Sequence, residues 1–374
     1  MSVEIKEVES KKDLKAFVNL PFELYKGNEY WVPPIKDEEL KSLMPDKNPA
    51  FEFCDTKFWL ALKDGKVVGR IGAIVNKPYI EKMGEKRGRF TRIEMIDDQE
   101  VANALLQTAE NWLKEQGMEK VEGPLGFTNL DTQGLLIEGF DYLPSIASVY
   151  HLPYYQKLIE NYGFEKEIDW VEFRLTLGEQ AVNKGMRGAA LIKRRYGIEV
   201  LEFTKTDELM PYAPKIFEIL NDAFSELPFV VPFNQKMIEF YTDKFIKYLN
   251  PEFVKMTKLN DELIGFVIGM PSLSKAMQKA NGSLFPLGWN YILKAQKGDG
   301  VDTMDWLLTG VKKEHQSTGA AVILAAELQN TMLKKGMKYI ETTGVFETNH
   351  NVISNWKNYE HVQHKRRRCY IKNL

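Results

Sequence analysis

From Lys57 the chain reads KFWLALKDGKVVGRIGAIVN. β-Prone residues run on both sides of Asp64-Gly65, a dipeptide suited to a tight type I′ turn, so two antiparallel strands are predicted. From Glu252, EFVKMTKLNDELIGFVIGM predicts the same hairpin around Asn260-Asp261, with Gly265 standing where Gly69 stood. Beyond the first hairpin, Asp97-Asp98 opens a stretch in which Val101, Ala104, Leu105, Thr108, Trp112 and Leu113 recur at helical spacing, with Gly117 as its left-handed stop. The second half closes a helix at Gly336 in the same manner: LKKGMKYIE at 333–341 parallels LKEQGMEKVE at 113–122.

The landmarks fall in the same order in both halves. Each half therefore predicts strand, helical region, hairpin, strand, helix, strand, helix, strand. The first begins with VEIKEVES and a helical stretch from Lys11 to Leu24; the second begins near Ile198 with IEVLEFT and a helical pattern from Asp207 to Phe224. Residues 271–300 form a longer insert in the second half. The reading is a mixed α+β protein of two tandem domains, 1–177 and 198–374, joined by a linker at 178–197. In that linker the basic cluster Lys193, Arg194 and Arg195 reads as a solvated face. The Gly-, Pro- and aromatic-rich segment 123–153 reads either as a functional loop or as a packed excursion, and Phe229–Phe233 reads as core.

Composition narrows the function classes. Of 374 residues, 44% are hydrophobic and 27% charged, which is enough apolar material for a packed core. Fifty basic and fifty-two acidic residues leave a net charge of −2, so no overall field draws the chain to nucleic acid or an anionic membrane. The two cysteines, Cys54 and Cys369, are too few for a disulfide framework or a zinc site. The start, MSVEIKEVES, lacks a signal-peptide pattern, and no run approaches the ~18 apolar residues of a membrane span. The expectations are a cytoplasmic protein with neither nucleic-acid nor membrane partner and no bound metal.

The order of elements, twice over, resembles the GNAT superfamily of acyl-CoA-dependent N-acyltransferases. The most specific residues are Gln316-Ser317-Thr318-Gly319-Ala320-Ala321, which match that family's Gln/Arg-x-x-Gly-x-Gly/Ala loop between an apolar strand and an apolar helix. A helix start leaves N–H groups unpaired and carries partial positive charge, so a pyrophosphate can sit there when side chains are small. The resemblance implies that this loop, with Val311 at the end of the preceding strand, holds acetyl-CoA or another acyl-CoA. Lys312, Lys313 and His315 flank it.

The first half departs from that chemistry, placing Asp97, Asp98 and Glu100 at the equivalent junction. Carboxylates there cap a helix and repel a pyrophosphate, so this half is expected to lack the usual cofactor seat. The tyrosine that GNAT enzymes often use to protonate the departing thiolate is replaced by Ile159 in LIENYGF and by Trp356 in the stretch from Asn349 to His361. Tyr359 is the substitute acid. Asp305, Glu314, Glu341, Glu347 and His350 are candidate bases, with Glu347 selected. The expected activity is transfer of an acyl group, as in N-acetylation, to a small-molecule or peptide amine. The other reading is a tandem GNAT-like ligand-binding or regulatory protein without turnover. The terminal run HKRRRCYIK predicts an exposed final strand.

Overall fold

The computed structural model describes residues 2–356 and 359–374, with Lys247 described by its backbone alone. Two compact units emerge. Unit 1 is the chain up to Val171 together with Met277–Gly288 and His364–Leu374; unit 2 is Glu172–Ala276 with Trp289–Gln363.

In unit 1 the strands lie in the order β1 (Glu4–Glu7), β2 (Cys54–Lys63), β3 (Lys66–Asn76), β4 (Arg87–Met95), β5 (Lys120–Gly123) and β14 (His361–Asn373). A short strand β6 (Leu135–Glu138) also pairs with β14. Helices α1 (Lys11–Leu24), α2 (Lys36–Ser42), α3 (Lys77–Met83), α4 (Gln99–Glu115) and α5 (Tyr154–Asn161) complete the unit, and β7 (Glu165–Thr176) carries the chain onward. In unit 2 the end of β7 pairs with β12 (Tyr339–Thr342). Next come β11 (Thr303–Val311), β10 (Glu262–Pro271), β9 (Val254–Leu259) and β8 (Glu199–Leu201), with β13 (Val345–Phe346) beside β7. Its helices are α6 (Glu179–Tyr196), α7 (Ala213–Ala223), α8 (Gln235–Lys244), α11 (Ala320–Lys334) and α12 (His350–Asn355), while α9 (Ser274–Ala280) and α10 (Gly288–Gln296) lie in the insert. Each unit is a mixed sheet with helices packed on it, as the pattern predicts.

Local chemistry explains the elements that position the site. Both hairpin turns place two residues at positive φ, Asp64 and Gly65 at 51° and 72°, Asn260 and Asp261 at 50° and 67°, as a type I′ turn requires. Helix α4 starts at Asp98, whose carboxylate accepts from the N–H groups of Glu100 (2.9 Å) and Val101 (3.4 Å). Lys63 pairs with the same carboxylate, and this hydrogen bond is the main cause that holds it below its ordinary pKa. Asp98→Ala is expected to cost about 1 kcal/mol of stability, read from the urea midpoint; an unchanged midpoint would count against the cap. The α4 residues Val101, Leu105, Leu106, Ala109 and Leu113 are buried in the unit 1 core. Gly69 of β3 leaves the space, since a Cβ there would come within 2.7 Å of Leu105.

Residues 178–197, read as the linker, form α6, which packs on α11. Lys193 pairs with Glu327 at 2.7 Å, and Arg194 and Arg195 are exposed. Segment 123–153 is largely packed, with Leu125, Phe127, Leu135, Leu136 and Tyr150 buried, as are Phe229, Val230, Val231 and Phe233.

The expectation of an exposed final strand is overturned. In β14, Lys365 is 1% exposed and Cys369 and Tyr370 are fully buried. The run carries its charges inside because distant acceptors meet them. Arg366 and Arg368 donate to Asp169 at 3.0 and 2.9 Å, and the Lys365 ammonium donates to the carbonyls of Gly139 and Tyr142. Burial alone would raise the Asp169 carboxyl, but hydrogen bonds from Arg368 and Arg366 outweigh it and hold it low. Among the described residues no helix is long and apolar enough to cross a membrane.

Candidate active site

In each unit a parallel strand pair parts before the next helix. In unit 1, β4 and β5 pair from Arg87↔Lys120 to Arg89↔Glu122, and β4 then runs on to Met95. In unit 2, β11 and β12 pair from Thr303↔Tyr339 to Trp306↔Thr342, and β11 runs on to Val311. The last residues of β11 therefore border an opening rather than a strand. Their direction follows from the register. Lys312 N–H donates to Ile264 O at 2.9 Å, so the adjacent pair Gly265↔Val311 is of the non-hydrogen-bonded kind, and Val311 turns its N–H and C=O away from β10. Thr309, two residues earlier opposite Val267, does the same. Both face the opening.

The same register in unit 1, Gly69↔Met95 beside the Ile96 N–H to Val68 O bond, turns Met95 toward its own opening. There the groups are already used. Met95 N–H donates to Tyr155 Oη (2.9 Å) and Met95 O accepts from Tyr154 Oη (2.6 Å), both hydroxyls coming from α5. Tyr155 Oη and Tyr25 Oη donate in turn to Glu94 Oε2 at 2.7 and 2.6 Å. Glu94, Tyr25 and Tyr155 are buried, and an Arg70 guanidinium nitrogen lies 3.9 Å from Glu94. Unit 2 places Gly310 at the register position of Glu94, opposite Phe266 as Glu94 is opposite Arg70. Side chains close the first opening; at the corresponding register position of the second, Gly310 carries no side chain.

The loop that follows β11 is a 3-10 turn over Lys313–Thr318, then Gly319 at φ 83°, then α11, whose first N–H, on Ala320, lies 3.4 Å from Thr318 Oγ1. Gln316, Ser317 and Ala321 are exposed and Ala320 is buried. Gln316 Nε2 lies 3.5 Å from Val311 O, and Thr318 Oγ1 donates to His315 O at 2.6 Å. Gly319 has a packing reason as well as a conformational one, because a Cβ there would lie 3.0 Å from Ile192 of α6.

Tyr359 Oη exchanges hydrogen bonds with the Gln329 amide of α11 (2.9 and 3.2 Å). A line of rings connects it to the opening, with Trp356 6.4 Å from Tyr359 and 6.3 Å from Trp306, whose Nε1 donates to Thr309 Oγ1 at 2.7 Å. Tyr359 also lines a cleft of about 720 Å³ with Lys184, Arg187 and Gly188 of α6 and Val322 of α11. Positions 357 and 358 of this stretch lie outside the described residues. Glu347 is half-buried between β13 and α12. Asp305 is fully buried in β11, in register with Glu341 of β12, whose carboxylate lies 3.5 Å from Arg174. Glu314 and His350 are exposed. Sequence reasoning missed Lys184 and Arg187, and it missed the Tyr25, Glu94 and Tyr155 cluster, for which a lone carboxylate in the apolar strand end RIEMI was the available signal.

No protein-family model matches the chain. It is 31% identical to protein YghO of Escherichia coli (strain K12) over 374 residues, an alignment covering 98% of this chain and 94% of that one. The chain belongs to the YghO family. It is also 26% identical over 383 residues to a bacterial ceramide synthase of Caulobacter vibrioides (strain NA1000 / CB15N), covering 98% of this chain and 96% of the synthase. Among solved structures, a tandem GNAT protein from the clavulanic acid biosynthesis pathway matches with a TM-score of 0.58 at 12% identity, over 100% of this chain and 98% of that chain. This YghO-family chain has the tandem GNAT fold.

Proposed function

We propose that the chain is a cytoplasmic acyl-CoA-dependent N-acyltransferase whose second unit binds the cofactor, and that the acceptor is a long-chain amine. The observation that carries the first part is the parting of β11 from β12, which leaves the N–H and C=O of Val311 and Thr309 turned away from β10 and leads to the small-residue start of α11. A pantetheine arm carries amides, so it can lie along such a strand edge, with its pyrophosphate at the helix start among Ser317–Ala321. Lys184 and Arg187 add positive charge in the adjoining cleft. The acceptor class rests on the full-length similarity to a protein named bacterial ceramide synthase, since a ceramide is an N-acylated long-chain amino alcohol. A fatty acyl-CoA is then the donor rather than acetyl-CoA.

In this mechanism the neutral amine nitrogen attacks the thioester carbon, forming the C–N bond. A β11 N–H stabilises the developing oxyanion. The C–S bond then breaks, the amine proton passes to a base, and the thiolate leaves and takes up a proton. Glu347 is the proposed base and Tyr359 the proposed acid. Because a thiol has a pKa of ~8.5, its thiolate departs without much assistance, so Tyr359→Phe is expected to lower kcat by about tenfold while KM for the donor holds. An unchanged kcat would remove Tyr359 from the mechanism.

The deciding experiment measures CoA thiol release with acetyl-CoA and palmitoyl-CoA against long-chain amino alcohols, short amines and peptides. Release that requires both a long-chain amine and a fatty acyl-CoA supports the proposal. A rise in Tm with CoA esters but no release with any acceptor favours the binding-protein reading, and no rise at all defeats the cofactor assignment.

A further inference from the structure

Segment 123–153 is packed for most of its length, but its stretch at 139–141 stands at the surface beside residues 28–30. Between them lies a cleft of about 450 Å³, and every residue that lines it belongs to unit 1. Tyr30, Phe140 and Tyr150 supply aromatic rings to its walls, and Glu29 and Asp141 supply carboxylates.

The walls are held in place by bonds within the unit. The Asn28 side chain accepts from the N–H groups of Tyr30 (2.8 Å) and Trp31 (3.0 Å) and donates to Tyr150 Oη (3.1 Å). Gln278, also in unit 1, donates to the carbonyls of Glu29 and Trp31 at 2.8 and 3.1 Å. Tyr150 is buried, its ring centre 5.9 Å from that of Tyr25. Gly139, at φ 86°, lies so close to β14 that a Cβ there would come within 2.0 Å of His364 O.

The acids of the cleft are not used by the fold. Glu29 and Asp141 are exposed, and among the described residues neither carboxylate forms a salt bridge. The cation behind the Gly139 wall is Lys365, which is 1% exposed and already donates to the carbonyls of Gly139 and Tyr142 at 2.8 and 2.5 Å. Two carboxylates thus stand against one buried ammonium, and an anion entering the cleft would meet like charge. Aromatic faces and carboxylates both attract cations, and ring walls suit a nitrogen that carries carbon substituents. A hard metal ion asks for six or more oxygen ligands, which two carboxylates do not supply, and it would leave the rings idle.

We propose that this cleft binds a small organic cation through its ammonium group. The site lies wholly in unit 1 and is read by binding alone, so it stands independently of acyl transfer.

The test is calorimetric titration of the full chain, at constant ionic strength, with choline, with ethanolamine and with the uncharged tert-butyl analogue of choline. At least one of the two cations is expected to bind with a Kd of about 1 mM, and the neutral analogue about tenfold more weakly or worse. Tighter choline marks a quaternary head group as the ligand and tighter ethanolamine a primary one; either order supports the proposal. Glu29→Gln with Asp141→Asn should weaken cation binding by about fivefold per carboxylate, and Tyr30→Leu by about threefold. The two carboxylates hold no other element in place, so the Tm of the double variant should stay at the wild-type value and serves as the folding control. Equal binding of the neutral analogue, no binding of either cation up to about 20 mM, or wild-type affinity in the double variant would overturn the proposal.

Discussion

Ala321→Glu is expected to weaken acyl-CoA binding by about 100-fold or more while leaving the unliganded chain as stable as before. The position lies in the first turn of α11 and is exposed. A glutamate there costs no packing and gains slightly, by about 0.3–1 kcal/mol, from the helix dipole. Toward a bound pyrophosphate the same carboxylate is a like charge. At about 4 Å that repulsion is roughly 1 kcal/mol in water and about 4 at an effective dielectric of 20, and a 100-fold loss lies between these values. Titration calorimetry with CoA and a thermal scan without it separate the two effects. Gly319→Glu would be a poorer choice, because the left-handed φ and the contact with Ile192 make any side chain there a folding defect. Asp98→Asn at the matching helix of unit 1 should leave CoA affinity unchanged. If Ala321→Glu binds CoA like the wild type, or if Asp98→Asn alters binding, the assignment of the seat to unit 2 is wrong.

The parts of this architecture that sequence reveals are those encoded within a few residues. The Asp64-Gly65 and Asn260-Asp261 turns fix both hairpins, and the spacing from Val101 to Leu113 fixes α4, because turn conformation and helical periodicity are local properties. The loop from Gln316 to Ala321 stands at a strand-to-helix junction for the same reason. What escapes is contact between distant segments. Tyr25 and Tyr155 reach Glu94 across 69 and 61 residues, and nothing near Glu94 in the sequence announces two phenols. Arg366 finds Asp169 across 197 residues, so a run of basic residues that reads as a solvated edge becomes an interior strand. The Ile192 contact with Gly319 is of the same kind, because it depends on α6 lying against α11.

Glu94→Ala is expected to destabilise the protein by about 3–5 kcal/mol, read from urea unfolding, with CoA affinity unchanged. The substitution leaves the buried Tyr25 and Tyr155 hydroxyls without the carboxyl that accepts from both and opens a void beside Arg70. Glu94→Gln keeps an acceptor for both phenols, so its cost is smaller and its pH dependence carries the information. Burial raises the Glu94 pKa above the ordinary carboxyl range, outweighing the Arg70 charge and the two tyrosine hydrogen bonds. The folded state then holds its proton to higher pH than the unfolded chain, whose value is about 4.3. Stability from this group is fully present below the unfolded value and declines as pH rises toward the folded one. The advantage of the wild type over Glu94→Gln should therefore shrink from pH ~5 to pH ~8. An advantage that grows over that interval would mean that Arg70 governs Glu94, with the carboxylate charged throughout. The plug in the first opening would then be an ion pair instead of a hydrogen-bonded acid held by two tyrosines.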